Sequence, residues 1–370
     1  MIKSIHCSKL SRAMACAGSL FFEDLPKEET NEAALEGTAA GEYLERLLTR
    51  QELHPNVTHA RNGVPFDLDM RFYALDVAVG IRDLLGGSYL GVNCETVIDW
   101  QTQSGIAIKG RYDASFTHEK NLYVDDYKYG FGIVEAKENW QLLGYAIGEV
   151  IRRNCSFPTI VLRIHQPRAH HEEGTTREWR ITYDELIHYK TVIENRMTAI
   201  VAGEKSLVTG NQCKYCPAAA ACPAFNKAYH RGVDIAHEFL QDTLDEEELS
   251  YQLDLVGRVE DLIKTRKSSL EMLAISRIKE GKLITNYGID QRYGNRTWKS
   301  GISPDVIKMM TGKDVTKSEM LSPAQAEKVG VPIEMINTIT ERKLLGNKLK
   351  KLDSSKLADK IFGNPNKEIR

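Results

Sequence analysis

The chain has 370 residues, 49 Lys+Arg against 51 Asp+Glu, 42% hydrophobic residues and seven cysteines. These figures exclude a wholly disordered chain, a collagen-like chain and a disulfide-stapled miniprotein, and they suit two domains or one enlarged domain. No run reaches the roughly 18 uninterrupted apolar residues of a membrane span, and a net charge of −2 rules out a wholly basic coat while leaving room for a basic groove.

At the N-terminus Lys3, Lys9 and Arg12 precede Ala13-Met14-Ala15-Cys16, loosely like an export and lipidation site. His6, Ser8, Lys9, Ser11 and Arg12 break up the apolar stretch of about 7–15 residues that an export signal needs. A cytoplasmic protein with reduced thiols is therefore expected. Ala34, Leu35, Ala39, Ala40, Tyr43, Leu44, Leu47 and Leu48 recur at helical spacing and predict a helix over 32–52. A second helix over 67–86 ends at Gly86-Gly87. The period then shortens. Segments 91–100, 105–117 and 121–127 are rich in β-branched and aromatic residues and read as three largely antiparallel strands. A helix is expected over about 135–152, strands at 159–165 and 178–182, and a helix over 183–202. Beyond Ala228, residues 246–281 read as one long charged helix and 301–370 as short helical pieces. The reading gives three regions, 1–228, 229–300 and 301–370. In 341–370 Lys/Arg outnumber Asp/Glu nine to four, a basic end suited to phosphates or simply to solvent.

The cysteines stand at 7, 16, 94, 155, 213, 216 and 222. Cys213-x₂-Cys216-x₅-Cys222 has metal-ligand spacing: the short gap turns two thiolates onto one centre and a loop returns the third. A fourth ligand must come from afar, and Cys16 and Cys7 both qualify; zinc and an iron–sulfur cluster remain open on spacing alone. Cys94, Cys155 and Met309-Met310 read as core packing, as do the aromatic residues of the first two helices.

The chemistry concentrates in three pieces. Gly110-Arg111-Tyr112-Asp113 lies in one strand, Asp125-Asp126-Tyr127-Lys128 ends the next, and Gln141 and Tyr145 lie one turn apart on the following helix. Asp113 and Asp126 on neighbouring strands can converge at a sheet edge and, with the Tyr127 carbonyl, offer Mg²⁺ or Mn²⁺ a half-shell of oxygens. Residues two apart on a strand share a face, so Lys128 points toward Asp126's side and Tyr127 away. Lys128 would orient water or stabilise developing phosphorane charge, and Gln141 and Tyr145 could bond the lysine or a phosphate oxygen.

That ordered series resembles the RecB-type branch of the PD-(D/E)XK nucleases. The cysteine run after it, with a lone cysteine before it, resembles the iron–sulfur staple of AddB-type and CRISPR-associated exonucleases. The whole chain is similar to an uncharacterised phage and prophage family. The similarity rests on Arg12-Ala-Met-Ala-Cys16-Ala-Gly-Ser19, Glu36-Gly-Thr-Ala-Ala40, Val124-Asp-Asp-Tyr-Lys128-Tyr-Gly130, Gln166-Pro-Arg168, the 213–222 cysteine run, Asn295-Arg-Thr-Trp298 and Leu321-Ser-Pro-Ala-Gln-Ala-Glu327.

The resemblance implies a mixed α/β PD-(D/E)XK restriction-endonuclease-like core, a central mixed sheet flanked by helices, with an iron–sulfur staple and a helical C-terminal extension. It implies Asp113, Asp126 and the Tyr127 carbonyl as Mg²⁺ or Mn²⁺ ligands and Lys128 as the catalytic lysine. It favours a 4Fe-4S cluster over zinc, held by Cys16, Cys213, Cys216 and Cys222. Relatives place a metal-binding His where this chain has Gly41, so either Glu42 or Glu36 substitutes or one metal site is weaker, and Glu95 is a further ligand or a strand-edge surface carboxylate. The implied activity is a phage DNA exonuclease acting on duplex ends or single strands in a bacterial host, for recombination, replication or end resection. A structure-specific or nicking endonuclease, and a catalytically silent DNA-binding subunit, are the alternatives. A single-strand annealing or binding protein is an implied partner. No Gly-x₄-Gly-Lys-Ser/Thr string occurs, so no ATP motor or nucleotide cofactor is expected. Arg111, Lys264, Arg266 and Lys267, with the basic end, are candidate DNA contacts. His165, His170 and His171 read as a loop or surface cluster.

Overall fold

The computed structural model describes residues 2–22, 32–49, 58–169, 171–238, 245–293, 297–298, 302–313, 315–317, 319–320, 323, 326, 331–341 and 344–351. It divides into two units, Met1–Ser269 and Leu270–Arg370.

The first unit starts with β1 (Ser4–His6) and α1 (Cys7–Ala15), both too short to show a period in the sequence. Then come α2 (Glu32–Leu48), α3 (Leu68–Leu84), β2 (Asn93–Gln101), β3 (Ala107–His118), β4 (Asn121–Tyr127), α4 (Trp140–Arg153), β5 (Thr159–His165), β6 (Thr176–Thr182) and α5 (Tyr183–Val201). The cysteine run follows, then α6 (Pro223–Glu238) and the long α7 (Glu246–Lys279). Helix α4 begins five residues later than its apolar pattern predicts. Asn139 is the reason: its side chain accepts from the N–H groups of Gln141 and Leu142 and caps the helix there.

The six strands form one mixed sheet in the order β1-β3-β4-β5-β6, with β2 also on β3. β1 with β3 and β4 with β5 are parallel pairs; the rest are antiparallel. β2 pairs with β3 from residue 107 to 115, while β1 pairs at 107–109 and β4 from Ala114 onward. A strand has two edges, so β1 and β4 share the edge that β2 leaves. Residues 110–113 of that edge fall between the two neighbours. The β3–β4 hairpin turns through Glu119 and Lys120, both at positive φ (48° and 66°), a two-residue turn whose twist matches the strands.

Helices flank both faces. On one, Ile98, Ile108, Leu122, Val124, Ile160 and Leu162 pack with Leu10, Leu142, Ile147 and Ile193 from α1, α4 and α5. On the other, Phe116, Tyr123 and Val161 pack with Leu44, Met70, Ala74 and Ile81 from α2 and α3. Each such aliphatic or aromatic side chain gains about 1.5–3 kcal/mol by leaving water.

Two devices fix α4 over the sheet. Cys7 is fully buried between Gly110 and Gly144: its Sγ would lie 2.9 Å from a Cβ at either position. Burial pushes this thiol up to about 12, and Cys7 is thus a packing residue rather than a metal ligand. Gly110→Ala would also bring its Cβ to 2.6 Å from the Tyr145 ring. Denaturant unfolding should show a loss of about 1–3 kcal/mol for overpacking; unchanged stability would mean the contact is loose.

The second device is Glu149, fully buried, which accepts from Tyr112 (2.8 Å), Ser115 (3.0 Å), Arg152 (2.7 and 2.8 Å) and Arg153. Burial alone would raise its pKa, but hydrogen bonds from Arg152, Arg153 and Tyr112 outweigh it and hold the carboxyl near 2. A folded value below the unfolded one means the stabilisation is full above about pH 4.5 and is lost as pH falls toward 2. Glu149→Gln should cost about 1–3 kcal/mol at pH 7 and flatten the acid limb of a stability–pH curve; an unchanged limb would count against this assignment.

In the second unit Tyr287–Tyr293 pairs antiparallel with Leu344–Lys351, where only helical pieces were expected over 301–370. The three lysines in 344–351, with Gly346 and Asn347, mask the strand pattern. Helices Pro304–Thr311 and Ile333–Ile339 are present, and Ile307, Val315, Ile336 and Ile339 make a small core. Met309 and Met310 are 83% and 47% exposed, not core. Asn295, most of 321–327 and all of 352–370 lie outside the described residues. Among the described residues no helix is long and apolar enough to cross a membrane.

Candidate active site

The hairpin register sets the site. His118 pairs with Asn121 and Ala114 with Asp125, so the next step would set Asp113 against Asp126. There the ladder opens: the N–H of Tyr127 donates to the Asp113 carboxylate instead of to backbone. Lys128 Nζ lies 2.8 Å from Asp126 Oδ2 and 3.4 Å from Gln141 Oε1. Gln141 Nε2 reaches Asp126 Oδ1 at 3.3 Å and Tyr145 Oη at 2.7 Å. Tyr127 turns its ring to the α2–α3 side, as the period of two requires. The five side chains singled out in the sequence therefore meet in one place.

Burial and then the charge of Asp126 push Asp113 up to about 8, against the pull of Lys128 and the Tyr127 N–H. Burial would lower Lys128, but Asp126 and Asp113 outweigh it, so its pKa rises. Asp126 Oδ2 has no hydrogen bond of acceptable geometry, only the ion pair with Lys128. Two neighbouring carboxylates sharing one ammonium are short of positive charge.

Asp113 opens onto a cavity of about 450 Å³ whose walls include Gly41, Glu42, Glu45, Arg61, Glu95, Arg111 and Tyr127. Glu95 faces Asp113 across an interrupted pairing, at a φ of 46° that costs a non-glycine residue roughly 1–3 kcal/mol. Its carboxyl is raised by burial and then by Glu45, and Arg111 lies 3.6 Å away. Gly41 does line this cavity, and a Cβ there would meet nothing within 4 Å. The two proposed substitutes each have a cationic partner, Glu42 at the cavity wall and Glu36 beside Arg168. Glu42 accepts from Arg46 and from the N–H of Arg61 (2.8 Å), and Glu36 lies 3.2 Å from Arg168. The carboxylate that sequence reading missed is Glu45, one helical turn beyond Gly41 on the same face; that i, i+4 spacing was the available signal.

Behind the site, Asp125 holds Arg163 with two hydrogen bonds (2.8 and 2.6 Å) and His165 Nε2 at 3.1 Å. His165 is thus buried, not a surface histidine; its Nδ1 meets Thr176. His171 lies 3.4 Å from Glu135, and His170 is outside the described residues. Asp125→Ala would strand the Arg163 guanidinium in the core and should cost about 3–5 kcal/mol, with Asp125→Ala/Arg163→Met costing less. A double-mutant cycle in urea measures this, and equal losses for the single and double variants would refute the pairing energy.

Cys16, Cys213, Cys216 and Cys222 line one cavity, with Ala219, Phe22, Leu207 and Phe225 around them. The Val208 N–H donates to Cys16 Sγ (3.4 Å), and the Sγ lies 3.8 Å from the Ser206 carbonyl. Burial, then the neighbouring thiols, raise Cys213 and Cys216. A four-sulfur donor set fits a soft or borderline metal centre. Among the described residues no group of three or more His, Cys, Asp or Glu closes on a single metal ion, here or at the carboxylates. Cys94 is half-buried, whereas Cys155 is exposed rather than core.

The expected DNA contacts divide. Arg111 borders the cavity; Lys267 is exposed; Lys264 pairs with Glu260 at 2.6 Å. Arg266, half-buried, donates to the Ala220 carbonyl at 2.6 Å and so braces α7 on the cysteine segment.

A family model described as "Protein of unknown function (DUF2800)" matches residues 5–342. No curated protein matches the chain. Among solved structures, one titled "Crystal structure of SSO0001" is 18% identical; the match covers 58% of this chain and 94% of that one at a TM-score of 0.26, too low to speak for the fold.

Proposed function

We infer that this chain, which belongs to the DUF2800 family, is a divalent-metal-dependent, ATP-independent DNA nuclease with a PD-(D/E)XK-type core. One observation supports the reading: half-buried Asp113 and buried Asp126 lie together where β3 and β4 part, with Lys128 paired to Asp126 and Asp113 lining the cavity. The raised Asp113 and the excess of two carboxylates over one ammonium fit a hard cation, which would supply the missing positive charge. Asp113, Asp126 and the Tyr127 carbonyl would hold Mg²⁺ or Mn²⁺. When bound, the ion supplies Lewis acidity toward a phosphodiester.

The chain's own groups do the rest. Lys128 Nζ donates toward the scissile phosphate or the attacking water and offsets charge that grows in the transition state. Gln141 holds Lys128 through Oε1 and Asp126 through Nε2, and Tyr145 fixes the amide's orientation. Arg111 at the cavity rim is placed for a neighbouring phosphate. Cys16, Cys213, Cys216 and Cys222 would hold an iron–sulfur cluster as a structural staple.

We take an exonuclease on linear DNA in phage recombination or end resection as the role, with a single-strand annealing or binding protein as partner. The test is incubation of end-labelled linear duplex, single-stranded DNA and covalently closed circles with Mg²⁺ or Mn²⁺, and with EDTA. Metal-dependent loss of linear DNA, circles spared, is expected. Cut circles would shift the reading to an endonuclease, and no cleavage under any metal would end it.

A further inference from the structure

The segment after the catalytic lysine leaves the sheet and presents an aromatic ring to solvent. Phe131 is 67% exposed, and as the third residue after Lys128 its Cα lies within about 11 Å of that residue's. The loop is not slack. Gln166, 1% exposed, donates to the carbonyls of Gly130 (2.8 Å) and Gly132 (2.7 Å) and accepts from Val134 N–H (3.1 Å); Arg177 in turn holds Gln166 and the Val134 carbonyl. A large apolar ring held out in water by buried hydrogen bonds is a prepared contact rather than a stray side chain.

A second ring stands beside it. Tyr215 is 74% exposed, and its Oη lies 4.0 Å from where a Cβ of Gly132 would be. It occupies the gap between Cys213 and Cys216, and its carbonyl accepts from Arg12 (3.3 Å). Each ring carries a cation: the Arg168 guanidinium sits 4.1 Å from the Phe131 ring centre and 4.4 Å from that of Tyr129, and Lys214 Nζ sits 5.4 Å from Tyr215. Arg168 also pairs with Glu36 at 3.2 Å, which fixes its plane over the rings.

We propose that Phe131 and Tyr215, with Arg168 and Lys214, form a stacking platform for an unpaired DNA strand at the mouth of the nuclease site. The inference rests on the nuclease reading for its location and names the substrate class of that site. Aromatic faces interleaved with cations suit bases and phosphates in alternation. Bases inside a duplex cannot offer their faces, so the platform selects a single strand or a frayed end. It also gives the cysteine segment a task beyond holding a metal: it carries one of the two rings to the other.

The test is fluorescence anisotropy of the full-length chain with no Mg²⁺, Mn²⁺ or chelator added, so that nothing is cut and the cysteine segment is undisturbed, with labelled oligothymidylate and with a closed hairpin duplex. A second probe carries 2-aminopurine, whose emission is quenched on stacking. Phe131→Ala and Tyr215→Ala should each weaken oligothymidylate binding about tenfold or more, lose the quench, and leave far-UV circular dichroism unaltered. Phe131→Trp should keep both. Three results overturn the proposal: parent-like binding by both alanine variants, equal weakening toward the duplex, or a parent that shows no preference for the unpaired strand. Because the readout needs no cleavage, a chain that binds single strands but never cuts them would sink the nuclease and spare the platform. A chain that cuts while both variants bind normally would do the reverse.

Discussion

Asp126→Asn is expected to reduce metal-dependent DNA cleavage by about 10²–10³-fold or more, the scale on which single charge-stabilising groups act in hydrolytic sites. The substitution keeps the shape of a side chain that is 3% exposed and removes one oxygen donor and one negative charge. Lys128 keeps Asp113 as a neighbouring charge and Gln141 at 3.4 Å, so the fold should survive. The thermal midpoint is the control, and it should move by only a few degrees. Calorimetry with Mn²⁺ gives a second reading: the parent should bind the ion and the variant should bind it more weakly. Cleavage within tenfold of the parent, from a folded variant, would place the active site elsewhere.

What made these five side chains legible in the sequence is that their relations are short-range. Asp126 and Lys128 share a face because a strand alternates every residue; Gln141 and Tyr145 share one because a helix turns every 3.6. Asp113 needed only the hairpin register, which the two-residue turn at Glu119-Lys120 fixes. Arg61 was not legible, since no local rule carries the loop after α2 to the mouth of β3, and Glu45 was marked only by its i, i+4 spacing from Gly41. Spacing alone left Cys7 and Cys16 both open; the resemblance favours Cys16, and in the fold Cys7 packs against two glycines while Cys16 lines the cavity of the other three thiols. The nearness of Tyr215 to Gly132 is of the same long-range kind. The strand at Leu344–Lys351 failed for another reason: its lysines break the apolar alternation that marks a half-buried strand.

Cys213→Ser should be the most damaging single substitution for stability, and the loss should come with the loss of colour from anaerobically purified protein. A metal centre held by Cys16 and by 213–222 joins points about 200 residues apart. Closing such a loop costs about 5 kcal/mol of chain entropy. Structural metal sites return about 10–16 kcal/mol on binding, so a net contribution of about 5 kcal/mol or more remains for folding. At about 2–4 °C per kcal/mol for a unit of this size, the thermal midpoint should fall by about 10–20 °C. Cys155→Ser, at an exposed thiol outside the cluster, should change neither midpoint nor colour. Removing the metal from the parent by chelation should reproduce the Cys213→Ser midpoint, and the variant should show no further response to the chelator. A colourless parent that melts with Cys213→Ser would leave four converging sulfurs with no staple to hold, and the small apolar cluster of Ala219, Cys222 and Phe225 would then account for the packing of that segment by itself.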